Sequence, residues 1–123
     1  MIKKLKCHCE KVELEINLPE EGFKKLMRCN CSLCKRKGAV MSPVEKEKVK
    51  ILKGQENLKI YQYHTKVAEH YFCSECGIYT HHKMRSKPDT YGLNVGCIDD
   101  IDQFKLENVG LNDGQNHPMD QKK

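Results

Sequence analysis

Cys73-Ser74-Glu75-Cys76-Gly77 is a C-x₂-C pair followed by glycine, the form of a zinc knuckle, and it lies between two apolar stretches at 67–72 and 78–84. A small residue after the second cysteine permits the tight, positive-φ turn that points backbone N–H groups at the sulfurs. The flanking stretches read as strands, so the motif places a cation-holding turn between two strand segments. Two thiolates do not close a zinc site, because structural zinc takes four ligands. The other ligands must come from elsewhere in the chain.

Upstream, Cys7-His8-Cys9 leads into residues 10–16, where Val12, Leu14 and Ile16 alternate with charged residues as in a half-buried strand. Period two puts Cys7 and Cys9 on a common face opposite those three, so the pair is expected on a turn just before regular pairing begins. Residues 38–41 read as a short strand stopped by Ser42-Pro43, and 48–52, a turn at 54–57, and 58–63 read as a hairpin. Residues 91–98 give a last strand. Residues 99–104 start with capping aspartates and make a single turn at most, 112–118 are rich in turn formers, and 119–123 form a polar tail. The expected fold is mainly β, built from antiparallel hairpins with little helix and stapled by zinc, with residues 1–123 as one domain.

Composition explains why a staple is needed. Of 123 residues, 38% are hydrophobic, 32% are charged and none is Trp, so the core is modest. Eight cysteines serve either disulfides or metal. The basic start Met1-Ile2-Lys3-Lys4-Leu5-Lys6 lacks a following apolar segment, which predicts a reducing, cytoplasmic setting, and the close cysteine spacing suits chelation. No apolar run approaches the roughly 18 residues of a membrane span. The net charge of +5 is mild, and thiolate-bound zinc would remove about three units of it, so nucleic acid is not an expected partner.

The spacing says which clusters can complete one another. Cys7 and Cys9 with Cys73 and Cys76 make the economical four-thiolate site, joining segments more than sixty residues apart. Cys29-Asn30-Cys31-Ser32-Leu33-Cys34 then supplies three ligands for a second ion. The fourth could be Cys97, one of His8, His64, His70, His81 and His82, a water or a substrate thiol. Zinc with three thiolates is electron-rich, which suits binding and ionising a thiol better than polarising a carbonyl. Lys35, Arg36 and Lys37 follow at once and either attract an anionic thiol or form a solvated basic turn. His81 and His82 point to opposite strand faces, so only one of them can face a site. Cys97 reads as a small buried hydrophobe, Tyr61, Tyr63 and Tyr71 as sheet-packing residues with a phenol available for proton donation, and Asn94, Asp113 and Asn116 as loop-ordering or substrate-touching residues.

The pattern Cys7-x-Cys9, Cys29-x-Cys31-Ser32-x-Cys34-Lys35-Arg36 and Cys73-x₂-Cys76-Gly77 resembles the glutathione-dependent formaldehyde-activating enzyme family, which also contains centromere protein V. Weaker echoes are Asn94-Val95-Gly96-Cys97-Ile98-Asp99-Asp100 and Asp113-Gly114-x-Asn116-His117-Pro118. The resemblance implies an Mss4-like, mainly β fold with two zinc ions per chain. It implies a structural zinc on Cys7, Cys9, Cys73 and Cys76, and a catalytic-type zinc on Cys29, Cys31 and Cys34. The implied activity is carbon–sulfur lyase chemistry, in which glutathione adds to formaldehyde to give S-hydroxymethylglutathione. Glu10 departs from the family's usual Gly after the first pair, and the chain is shorter than the founding enzyme.

Two other classes compete. A zinc-ribbon-like binding module would have both zincs structural. A methionine sulfoxide reductase would need a redox cysteine such as Cys97, but that family's Arg-x-Cys-x-Asn pattern is absent around Gly96-Cys97-Ile98, and its zinc site uses two C-x₂-C pairs where this chain has one.

Overall fold

The computed structural model describes residues 1–114 and forms two sheets. The elements are β1 (Ile2–Lys6), β2 (Glu13–Asn17), β3 (Met27–Cys29), α1 (Ser32–Lys37), β4 (Met41–Glu45), β5 (Val49–Lys53), β6 (Leu58–Tyr61), β7 (Glu69–Cys73), β8 (Tyr79–Lys83), β9 (Thr90–Asn94) and β10 (Gly110–Asn112). A three-stranded sheet has the order β1-β2-β5, and a seven-stranded sheet the order β10-β3-β4-β9-β8-β7-β6. Pairing is antiparallel except between β10 and β3, which run parallel. Among the described residues no helix is long and apolar enough to cross a membrane.

The alternation in β2 buries Leu14 and Ile16, which join Leu5, Val12, Leu18, Val44, Leu93 and Ile98 in one core cluster. Each such side chain contributes about 1.5–3 kcal/mol on burial. Cys7 and Cys73 belong to the same cluster, with Cys76 packed against it. The knuckle sulfurs therefore sit at the edge of the main core. β7 and β8 flank the knuckle as expected and pair antiparallel, with Gly77 at φ 76° and its N–H donating to the Cys73 carbonyl at 2.8 Å.

The hairpin expected from 48–52 and 58–63 does not form. β5 pairs with β2 in the small sheet, whereas β6 pairs with β7 in the large one. The connection is a corner: Gly54 adopts φ 84° and leads into a 3₁₀ turn at Gln55–Asn57. A Cβ on Gly54 would lie 2.0 Å from the Lys11 carbonyl oxygen, so the corner is wedged against the turn that carries Cys7 and Cys9. Close approach to backbone, rather than a tight hairpin, is what this glycine serves.

Ser42-Pro43 does not end a strand either, since β4 runs through both residues with Pro43 opposite Gly92. The Val40 carbonyl accepts from Val95 N–H and the Lys46 N–H donates to the Asp89 carbonyl, so by alternation Pro43 faces away from β9. On that side β3 pairs with β4 only at Met27↔Met41. The missing proline N–H thus breaks no ladder bond. The turn expected at 99–104 falls later, as a 3₁₀ turn at Gln103–Lys105 capped by the Asp102 side chain accepting from Phe104 N–H.

Candidate functional site

The Cys7, Cys9, Cys73 and Cys76 sulfurs lie within 4.8 Å of one another. Cys7 Sγ is 3.6 Å from Cys9 Sγ, and Cys9 Sγ is 3.7 Å from Cys73 Sγ. A tetrahedron with Zn–S bonds of about 2.3 Å has edges of about 3.8 Å, so the donors are already spaced for that ion. As expected, the first pair sits on a turn: Cys7 N–H donates to the Val12 carbonyl and Glu10 N–H to the Cys7 carbonyl. Backbone N–H groups of Val12 and Glu75 donate to Cys7 Sγ and Cys73 Sγ at 3.3 and 3.4 Å. Burial pushes the Cys76 thiol up, but backbone N–H donors and the neighbouring thiols outweigh it and hold it near a pKa of about 6. Such donors offset the charge that four thiolates gather.

The second cluster is Cys29, Cys31 and Cys34. Cys29 ends β3, Cys31 caps α1 by accepting from Cys34 N–H at 3.3 Å, and Cys34 is buried in the helix. Gly38 closes this short helix at φ 65°, donating to the Cys34 carbonyl. The three thiols share charge unequally: those of Cys29 and Cys34 draw the Cys31 thiol far below the usual range, while Cys31 helps push Cys29 up, and Cys29 and Cys31 push Cys34 up strongly. A thiolate set of this density is suited to a soft divalent ion such as zinc. Among the described residues no further His, Cys, Asp or Glu joins the three. A Cβ on Gly114 would lie 2.5 Å from Cys29 Sγ and 2.7 Å from Cys31 Cβ, so the chain after β10 passes directly against the cluster. Asn116 lies outside the described residues.

The three cysteines form one side of a cavity of about 490 Å³, completed by Tyr63, His70 and His82 and by the thioethers of Met27, Met41 and Met84. Tyr63 Oη donates to Cys31 Sγ at 3.7 Å. Burial and the Cys31 sulfur push its phenol up, so it remains a donor. His70 stacks on His82 at 5.2 Å between centroids, and burial takes them to pKa values of about 4 and about 3. Lys37 turns inward from the end of α1: its Nζ is 2.9 Å from His70 Nδ1 and 3.5 Å from the Tyr79 ring centroid. Burial lowers this lysine to about 8.

Of the candidate fourth ligands, His64, His70 and His82 line the cavity without joining the sulfur cluster, while His81 and Cys97 do not line it. His81 faces away as the strand period requires, stacking on Tyr71 at 4.5 Å and meeting Tyr91 edge-on. Cys97 is buried, with its thiol pushed up to about 12 by burial, and belongs to neither cluster. His8 is exposed on the knuckle-side turn. Lys35 and Arg36 are exposed and do not line the cavity; Arg36 donates back to the Ser32 carbonyl. Asn94 donates to the Tyr79 carbonyl and accepts from Gly96 N–H, a loop-ordering arrangement away from the three cysteines. Sequence reading grouped Lys37 with its basic neighbours. Its inward turn carries no local sequence signal, because the partners that hold it, His70 and Tyr79, are distant in the chain.

The profile of the glutathione-dependent formaldehyde-activating enzyme family matches residues 3–109. A solved crystal structure of a Rhodobacter sphaeroides protein, a structural-genomics target, superposes with a TM-score of 0.82 at 41% sequence identity, covering 89% of this chain and 99% of that one. The family match spans both cysteine clusters, and the chain therefore belongs to the glutathione-dependent formaldehyde-activating enzyme family.

Proposed function

We propose that the protein is a zinc-dependent carbon–sulfur lyase-type enzyme that joins a thiol of the glutathione kind to a small aldehyde such as formaldehyde and reverses that addition. On this reading Cys7, Cys9, Cys73 and Cys76 hold a structural zinc, and Cys29, Cys31 and Cys34 hold a second one. The observation that carries the proposal is the three-sulfur cluster, which has no fourth protein donor among the described residues and opens on the cavity. When bound there, zinc keeps a substrate thiol ionised at neutral pH while leaving it nucleophilic.

The residues of the chain supply the rest. The three cysteines make the pocket floor strongly electron-rich. Met27, Met41 and Met84 give the cavity an apolar stretch of wall beside the stacked His70–His82 pair, against which a thiolate and an aldehyde carbon can meet. In the addition, sulfur gives an electron pair to the aldehyde carbon, the C=O π pair moves to oxygen, and the alkoxide takes up a proton. The Tyr63 phenol, protonated and beside Cys31, is placed to hydrogen-bond in that space.

The test is to follow formaldehyde loss with glutathione and a panel of other small thiols against the spontaneous reaction. Acceleration that disappears in Cys34→Ser supports the proposal. No acceleration with any thiol overturns it in favour of a binding module in which both metals are structural.

A further inference from the structure

Lys37 meets His70, a residue of the cavity wall, and the polar atoms of this pair have no role in the chemistry above. A lysine ammonium has only donors, so at the 2.9 Å contact Lys37 Nζ donates and His70 Nδ1 accepts. A ring that accepts at Nδ1 is neutral and carries its proton on Nε2. Lys37 is itself fixed by the Tyr79 ring, 3.5 Å from Nζ, so the donor cannot swing away without leaving a cation–π contact. His70 also meets two other rings: His82 stacks at 5.2 Å and the tilted Tyr63 ring lies 6.0 Å away. The imidazole is 7% exposed and forms part of the same cavity wall as Cys29, Cys31 and Cys34. Burial and the Lys37 charge keep it neutral at physiological pH.

We propose that Lys37 is a positioning residue that locks His70 as the Nε2–H tautomer, and that His70 is the donor by which the cavity recognises an oxygen close to the substrate sulfur. The inference rests on the thiol-addition reading above and narrows its substrate class: the site prefers oxygen-bearing thiols and thiol adducts over plain thiols. A neutral imidazole N–H suits an oxygen that gains negative charge as the carbon–sulfur bond forms, because the donor is oriented beforehand and releases no proton of its own in the ground state.

Two measurements test it. Long-range ¹H–¹⁵N correlation on zinc-loaded protein labelled at histidine reads the tautomer without reference to activity. His70 is expected as Nε2–H in the wild type and in Lys37→Arg, and as a mixture with Nδ1–H in Lys37→Met. An Nδ1–H ring in the wild type overturns the proposal without any variant. The second measurement titrates cobalt-substituted protein with 2-mercaptoethanol and with 1-propanethiol, which have the same number of heavy atoms and differ by one oxygen. The wild type is expected to favour mercaptoethanol about fivefold, the worth of one hydrogen bond. His70→Leu should bring the ratio to near one, while His70→Gln, which keeps an N–H donor, retains part of it. Binding of both thiols with an unchanged ratio in His70→Leu overturns this inference alone. Binding of neither thiol to the wild type overturns the thiol-addition reading, and this one with it.

Discussion

Cys9 Sγ lies 3.7 Å from Cys73 Sγ although 64 residues separate them in the chain. The contact ties the turn before β2 to the β7–β8 hairpin, and Lys11 Nζ with Glu75 Oε1 at 2.9 Å bridges the same two turns on the surface. The exposed ion pair contributes little, so on the proposed reading a zinc held by these sulfurs would carry the link. A structural zinc supplies about 10–16 kcal/mol of apparent binding energy, comparable with the whole ~5–15 kcal/mol stability of a domain. Strong chelation is therefore expected to abolish the cooperative thermal transition followed by circular dichroism. A chelated sample that keeps its full melt contradicts the staple.

The two clusters should part with metal unequally. The first has four sulfurs, two of them buried in the main core, whereas the second has three sulfurs and a cavity on its open side. Mild chelation is expected to take one zinc quickly and leave the second, with the far-ultraviolet spectrum unchanged after the first loss. Simultaneous release of both would show that the three-sulfur site has a fourth ligand as firm as the others.

Gly114 offers a way to disturb the second cluster alone. A Cβ there would fall 2.5 Å from Cys29 Sγ, far from Cys7 and Cys73 in the core. Gly114→Ala is expected to weaken zinc at the three-sulfur site by about tenfold or more, the scale on which disturbed metal surroundings act. The melting temperature of the four-sulfur-stapled fold should change little. Equal metal content in mutant and wild type under mild chelation would mean that the segment after β10 yields without strain.

The knuckle, its partner pair and the leftover three-cysteine cluster were legible because metal ligation depends on a few residues at fixed spacing. The same holds for Val12, Leu14 and Ile16, whose alternation is the imprint of one buried face. What stayed hidden depends on distant packing. β1 buries Leu5 within Ile2-Lys3-Lys4-Leu5-Lys6 and leaves little periodicity to read. β10 has only three residues, two of them exposed, and is ordered by its parallel pairing with β3. Gly54 looked like a hairpin turn because glycine marks turns and close approaches alike, and only the Lys11 carbonyl shows which applies. His70 and Lys37 are 33 residues apart, and no local pattern announces their contact.

Glu10 adopts φ 63°, the left-handed region that favours glycine, at the position where the family commonly carries glycine. A non-glycine residue there is strained by about 1–2 kcal/mol, and glycine returns part of that gain through its greater unfolded-state entropy. The Lys6–Glu10 pair at 3.4 Å is exposed on the glutamate side and offsets little. Glu10→Gly is expected to stabilise the zinc-loaded protein by about 0.5–1 kcal/mol, raising the melting temperature by a few degrees. A lower melting temperature would assign the Glu10 carboxylate a role in the charge balance around the first cluster.

His81 makes the protein sensitive to mild acid. It is 1% exposed, stacked on Tyr71, edge-on to Tyr91, with the Thr80 hydroxyl 2.8 Å from its Nδ1, and burial lowers its pKa to about 4. Among the described residues the groups that meet it are phenols and a hydroxyl, none of which carries a charge to compensate a proton placed on the ring. In the unfolded chain the imidazole titrates near 6.5, so below that pH the unfolded state binds the proton that the folded state refuses. The contribution is present in full above about pH 6.5 and is lost as pH falls towards 4. Between pH 7 and pH 5 the shift amounts to about 2 kcal/mol of lost stability from this one residue. His81→Phe keeps an aromatic ring between Tyr71 and Tyr91 and removes the titration. Denaturant unfolding at the two pH values should show a stability drop smaller by about that amount in the variant, whatever its stability at pH 7. His70, His82 and the metal thiolates also respond to acid, but they are common to both proteins and leave the difference between them intact. An identical drop in variant and wild type would mean that His81 is protonated within the fold, with the Thr80 hydroxyl accepting rather than donating.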